Sequence, residues 1–137
     1  MTVSERLEVL LPQGRGAPRG ARDHVEAFLD AQDLNGDVRQ RAMVIASELV
    51  TNAVVHAAEP ITLEVAVRDD ALRVEVRDGD EHTAVVARPR EDRGVMTGRG
   101  LMIVEFLAQQ WGVRTRLGGK SVWADIDLSP SEHTGPD

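Results

Sequence analysis

Glu48 and Asn52 are one helical turn apart in Glu-Leu-Val-Thr-Asn-Ala-Val-Val-His-Ala, residues 48–57. The stretch around them, about 42–58, is rich in alanine and valine, and its polar members are Ser47, Glu48, Thr51, Asn52 and His56. At about 100° per residue these polar positions fall within one half of a helical wheel. Met43, Ile45, Ala46, Leu49, Val50, Ala53 and Val54 cover much of the rest. Side chains at i and i+4 lie one above the other, so a carboxylate and a carboxamide share a face. Both are costly to bury unless a partner satisfies them. Two readings are open from these residues. One is an amphipathic helix whose polar half meets water. In the other, Asn52 offers a neutral oxygen to Mg²⁺ while Glu48 accepts a proton from a water or hydroxyl. His56, one turn further on, reads as a hydrogen-bonded wall residue.

Three later segments carry residue types of the same chemistry. Residues 74–80 alternate as a strand and end in Asp78-Gly79-Asp80. Thr97-Gly98-Arg99-Gly100-Leu101 is a glycine pair opening a helix, and Leu117-Gly118-Gly119-Lys120-Ser121 turns into a final strand. Glycine lets a backbone approach phosphate oxygens, and a helix starting near Leu101 aims N–H groups and its positive dipole end at them. Arg99 reads equally as a charged fork to phosphate or as a solvated arginine. Asp-Gly by itself is a common turn, and Gly-x-Gly by itself occurs in many loops.

Positioning these segments requires the order strand, two helices, two strands, helix, two strands. Residues 7–11 read as the first strand, ended by Pro12-Gln13-Gly14. A helix is expected over about 21–31. Asn35-Gly36 breaks it, Asp37 is the expected cap of the long helix carrying Glu48, and Pro60 stops that helix. Residues 61–67 and 71–76 alternate around Arg68-Asp69-Asp70, as an antiparallel hairpin with one buried face does. Residues 80–97 are polar and patternless. A third helix is expected over 100–110, a closing hairpin over 111–117 and 122–128, and a disordered tail over 129–137. The two tryptophans are expected in the core or at an interface. The fold class is α+β: a two-layer sandwich with a mostly antiparallel or mixed sheet and helices packed on one face.

Composition narrows the classes. A chain of 137 residues can bury one core, so residues 1–128 are expected to form one domain. No apolar run approaches the roughly twenty residues of a membrane span, and no secretory signal precedes Glu5. With no cysteine, disulfides and thiolate metal sites are excluded, and a cytoplasmic location is expected. Histidines at 24, 56, 82 and 133 show no ligand spacing. A net charge of −7, few aromatics and no tyrosine argue against nucleic-acid binding.

In order and spacing, these segments resemble the boxes of the GHKL ATPases, the Bergerat nucleotide fold shared by gyrase and histidine kinases. The resemblance covers roughly residues 5–128 and, within the superfamily, looks most like the stand-alone serine-kinase anti-sigma factors. It implies ATP and Mg²⁺ as ligands, with Glu48 as general base and Asn52 as the Mg²⁺ ligand. Asp78, with Gly79 behind it, would accept a hydrogen bond from the adenine amino group. Gly98, Arg99, Gly100 and Leu101 would face the phosphates, and Lys120 and Ser121 would offer further triphosphate contacts. Arg88, Arg90 and Arg93 fall in the segment that would form a lid over the nucleotide. Two departures stand out: Asp78-Gly79-Asp80 lacks the second glycine of the first glycine box, and Lys120-Ser121 replaces a Gly-Thr pattern.

The implied function is phosphoryl transfer to a serine or threonine of an anti-sigma-factor antagonist, with sequestration of a sigma factor by a homodimer. The alternatives are a nucleotide-gated binding module without phosphotransfer and the ATP-binding half of a split histidine kinase. An ionised Asp78 only accepts hydrogen bonds. A site built around that buried acceptor should therefore reject guanine, whose six-position carbonyl leaves it unpaired, by at least ~10²-fold.

Overall fold

The computed structural model describes residues 3–55, 59–79 and 98–128. The elements run β1 (Val3–Leu10), α1 (Ala17–Ala31), α2 (Gly36–Val55), β2 (Thr62–Arg68), β3 (Ala71–Asp78), α3 (Gly98–Leu107), β4 (Gln110–Arg116) and β5 (Gly119–Asp127). The strands form one open sheet in the order β1-β2-β3-β5-β4, and every neighbouring pair is antiparallel. The α+β sandwich expected from the sequence is therefore present, and its sheet is antiparallel throughout.

Alternation in the strands decides which face the helices cover. Leu63, Val65, Leu72, Val74, Ala124 and Ile126 are buried on one side, and the register sets Val65 opposite Val74, which in turn faces Ala124. α2 packs on β3 and β5, α1 packs on α2, and α3 packs on α2 and β4. α2 buries Ala42, Ile45, Ala46, Leu49, Val50 and Ala53. Its many alanines keep the inner surface shallow, which lets the helix lie close to the sheet.

Boundaries moved where local chemistry outweighed hydrophobic period. α1 starts at Ala17, four residues before the expected start, with Pro18 in its first turn. Proline suits that position, because its φ is preset and its missing N–H would have had no helical partner. α2 starts at Gly36, so Asp37 lies inside the first turn, where its carboxylate meets Arg41 at 2.6 Å and favours the positive helix end. α3 starts at Gly98 and stops at Leu107, two residues earlier than expected at its start and three at its end. Each hairpin closes through two residues. Asp69 (φ 55°) supplies the positive dihedral in one, and Gly118 (φ 87°) in the other.

Candidate functional site

β3 and β5 bring three backbone segments together at one end of the sheet. β3 ends at Asp78, β5 begins at Gly119, and their register sets Asp78 opposite Lys120. Both continue the alternation of Val76 and Val122, so both side chains turn to the helix side. The Lys120 ammonium donates to both Asp78 oxygens, at 3.1 Å to Oδ1 and 2.9 Å to Oδ2. Only 6% and 5% of the two side chains are exposed. A Cβ on Gly119 would lie 2.0 Å from the Asp78 carbonyl oxygen, and one on Gly79 would lie 2.8 Å from the Glu59 carbonyl oxygen. Glycine at both positions is what lets β5 close against the Asp78 backbone and the Glu59–Pro60 segment close against Gly79.

α2, which packs on β3 and β5, carries the other two polar candidates. Asn52 is buried, and its Oδ1 has no hydrogen-bond partner among the described residues. Buried polar atoms are nearly always paired, and a carboxamide oxygen is a donor type that Mg²⁺ accepts. Glu48 lies half-buried one turn earlier. Near the start of α2, Arg41 donates to the Leu107 carbonyl at the end of α3, at 2.7 Å. That bond and the packing of the two helices tie α3 to α2, and α3 begins at Gly98, where its first-turn N–H groups lack helical acceptors. Leu101 is fully buried and anchors that turn.

Two expected contacts sit differently. The Lys120 ammonium lies on Asp78 rather than reaching toward a triphosphate. Ser121 has Arg77 and Arg114 as register partners, on the face away from the helices, and its buried hydroxyl has no hydrogen-bond partner among the described residues. Adjacent strand residues point to opposite faces, so Lys120 and Ser121 cannot serve one site from a regular β5. The side chain of Arg99 lies outside the described residues, as do His56, Asp80 and the expected lid segment with Arg88, Arg90 and Arg93. Reading the sequence missed the structural weight of Gly119 and the pairing of Lys120 with Asp78. The signal for both was the Gly118-Gly119 pair followed by lysine, legible only once β5 is set antiparallel to β3.

The outer face of the sheet is a charge ladder. Arg6 pairs with Glu64 at 2.6 Å, Arg77 with Glu64 at 2.9 Å and with Glu8, and Arg73 with Asp125 at 2.7 Å. Burial pushes the Asp125 carboxyl up, but hydrogen bonds from Arg73 and Gln110, with the charges of Arg73 and Arg68, hold it below its ordinary value. The Arg73 guanidinium also stacks 4.1 Å from the centre of the Trp123 ring. These arginines are committed to carboxylates, so this face is a poor match for phosphate.

Among the described residues, no helix is long and apolar enough to cross a membrane. The chain belongs to the histidine kinase-like ATPase domain family, which it matches over residues 15–126. Membership of an ATPase family implies ATP binding. The fold is similar to the crystal structure of the RsbU and RsbW domains of Rv1364c from Mycobacterium tuberculosis, with a TM-score of 0.71 and 21% identity. That match covers 93% of this chain and 34% of that one, so this chain spans about a third of its length. A second similarity is to the SiaB-SiaC complex from Pseudomonas aeruginosa, with a TM-score of 0.60 and 12% identity over 90% of this chain and 89% of that one. At such identities the likeness is one of fold. No curated protein sequence matches the chain.

Proposed function

We propose that the chain is an ATP·Mg²⁺-binding regulatory domain that transfers a phosphoryl group to a serine or threonine of a partner protein. The observation that carries this reading is the buried Asn52 Oδ1, which has no hydrogen-bond partner among the described residues and lies one turn from Glu48. Asn52 would hold the metal, and the first turn of α3, from Gly98 to Leu101, would face the phosphates. Bound ATP·Mg²⁺ supplies the phosphoryl group and neutralises its charge. Glu48 would take the proton from the attacking hydroxyl as that oxygen bonds to the γ-phosphorus and ADP departs. Asp78 would orient the base.

The choice of partner follows from resemblance. The sequence is similar to kinases that act on anti-sigma-factor antagonists, and two fold neighbours carry the names RsbW and SiaB, the latter in complex with SiaC. A sigma factor as second partner and a homodimer as working unit belong to the same proposal. The test is a pull-down with and without ATP·Mg²⁺, followed by phosphosite mapping on the recovered protein. A new phosphoserine or phosphothreonine, absent when Glu48→Ala replaces the parent, supports the kinase. Capture that depends on ATP·Mg²⁺ but yields no phosphosite would instead identify a nucleotide-gated binding module.

A further inference from the structure

In the reading above, α3 presents first-turn N–H groups to the phosphates while α2 presents Asn52 and Glu48. Such a site works only if the two helices keep a fixed relation. α3 is 10 residues long, too short to hold its shape in water without a neighbour. Leu101 and Val104 are fully buried, and α3 packs mainly on α2. Apolar burial is non-directional: it holds the helices together without by itself fixing how far one lies along the other. A directional contact does. The Arg41 guanidinium donates from Nη1 to the Leu107 carbonyl at 2.7 Å, and Asp37, one turn earlier on α2, accepts from its Nε at 2.6 Å. The carbonyls of a last helical turn have no helical partner and form the negative end of the dipole. α3 has no basic residue of its own in that turn, so the cation that caps it comes from α2. Gln109 N–H reaches the Asp125 carbonyl at 2.8 Å, but that bond holds the turn after the helix, whereas Arg41 holds the helix.

We infer that Arg41 is a positioning residue for the phosphate end of the site. The inference rests on the nucleotide-binding reading and adds to it a residue that no ligand contact would reveal. Arg41 precedes Asn52 by 11 residues, roughly 16 Å along α2 at the standard helical rise, and it acts through α3. With Asp37 aiming the guanidinium and Leu107 receiving it, the turn from Gly98 to Leu101 is kept where its N–H groups meet phosphates whose metal Asn52 holds. Without this clamp α3 can slide or tilt on α2, and shifts of about 1–2 Å are the usual scale for packed helices. Hydrogen bonds to phosphate weaken steeply over such a shift. The base contact, which comes from β3, does not change.

The experiment is calorimetric titration of ATP·Mg²⁺ into the parent chain, Arg41→Met, Arg41→Lys and Asp37→Asn. AMP is titrated by competition against ATP·Mg²⁺, and circular dichroism checks folding. Arg41 is partly exposed, so Arg41→Met keeps the apolar stem and loses only the charged head. ATP·Mg²⁺ affinity should fall about tenfold in Arg41→Met, within the range by which residues remote from a ligand modulate its binding, while AMP affinity stays within about twofold of the parent. Arg41→Lys, which keeps a cation at the carbonyl, should recover most of the loss. Asp37→Asn should show a smaller loss of the same kind. A folded Arg41→Met with the parent's ATP·Mg²⁺ affinity overturns the inference. An equal loss for ATP·Mg²⁺ and AMP also overturns it, because that marks a general loosening, as does an Arg41→Lys no better than Arg41→Met. If the parent binds neither nucleotide, the nucleotide reading itself falls, and this inference with it.

Discussion

Gly118 and Gly119 are neighbours with unlike reasons to be glycine. Gly118 takes a positive φ with open space around its missing Cβ, whereas Gly119 has ordinary dihedrals and no space at all. Gly118→Ala should thus cost about 1 kcal/mol of backbone strain. Gly119→Ala must push β5 from β3 and should cost about 3 kcal/mol, the upper end for overpacking; urea denaturation of both variants measures the two. Gly119→Ala should also weaken nucleotide binding, because the strand it displaces carries Lys120. A Gly119→Ala variant as mild as Gly118→Ala would mean that β5 shifts freely against Asp78. At Glu48, replacement by alanine should leave ATP binding nearly intact and cut turnover by about 10²–10⁴-fold; parental turnover would remove Glu48 as the base. Glu48, Asn52 and Asp78 were legible in the sequence because each is a polar residue standing at the end or on one face of an apolar pattern. Lys120 was visible as a charge, but its partner was not. The two are 42 residues apart, and only strand register joins them.

Element boundaries followed the balance between hydrophobic period and local chemistry. β2 and β3 were legible almost to the residue, since clean alternation fixes both length and face. The start of α1 and both ends of α3 were less so. Pro18 and Gly98 look like breakers in sequence yet fit the first turn of a helix, where the amide needs no helical acceptor. The outer sheet face was not foreseen as a network, because its pairs form across strands: Arg73 meets Asp125 over a separation of 52 residues. That pair sets a pH dependence. Asp125 is held below its ordinary value in the folded state, so it binds fewer protons there than when unfolded. Its contribution is present above the unfolded carboxylate value of about 4 and is lost as pH falls through the folded value. Asp125→Asn should be less stable than the parent near neutral pH, and the gap should narrow as pH falls below about 4. Chemical denaturation at pH 7 and pH 3 is the check; a gap that is the same at both would mean the carboxylate charge contributes nothing.

For the whole molecule, the layer order puts α2 and α3 on one face of an antiparallel sheet whose strands β3 and β5 carry the paired Asp78 and Lys120. A ligand that bridges helix and sheet stabilises the folded chain as a unit. ATP·Mg²⁺ at a hundred times its Kd should add about 2.7 kcal/mol, which for a chain of this size raises Tm by about 10 °C. AMP, without the outer phosphates, should do much less. Equal shifts from AMP and ATP would mean that α3 and the metal play no part. The central claim is that Asn52 presents its buried oxygen to a nucleotide-bound Mg²⁺. It is tested most directly by calorimetric titration of ATP into the parent and into Asn52→Ala, each with Mg²⁺ and with the metal chelated. The account predicts that Mg²⁺ tightens ATP binding by the parent at least ~10-fold, the scale of a lost charge-assisted contact, and leaves binding by Asn52→Ala unchanged. A parent that does not bind ATP in Mg²⁺, or an Asn52→Ala variant with the parent's full response to the metal, would contradict it.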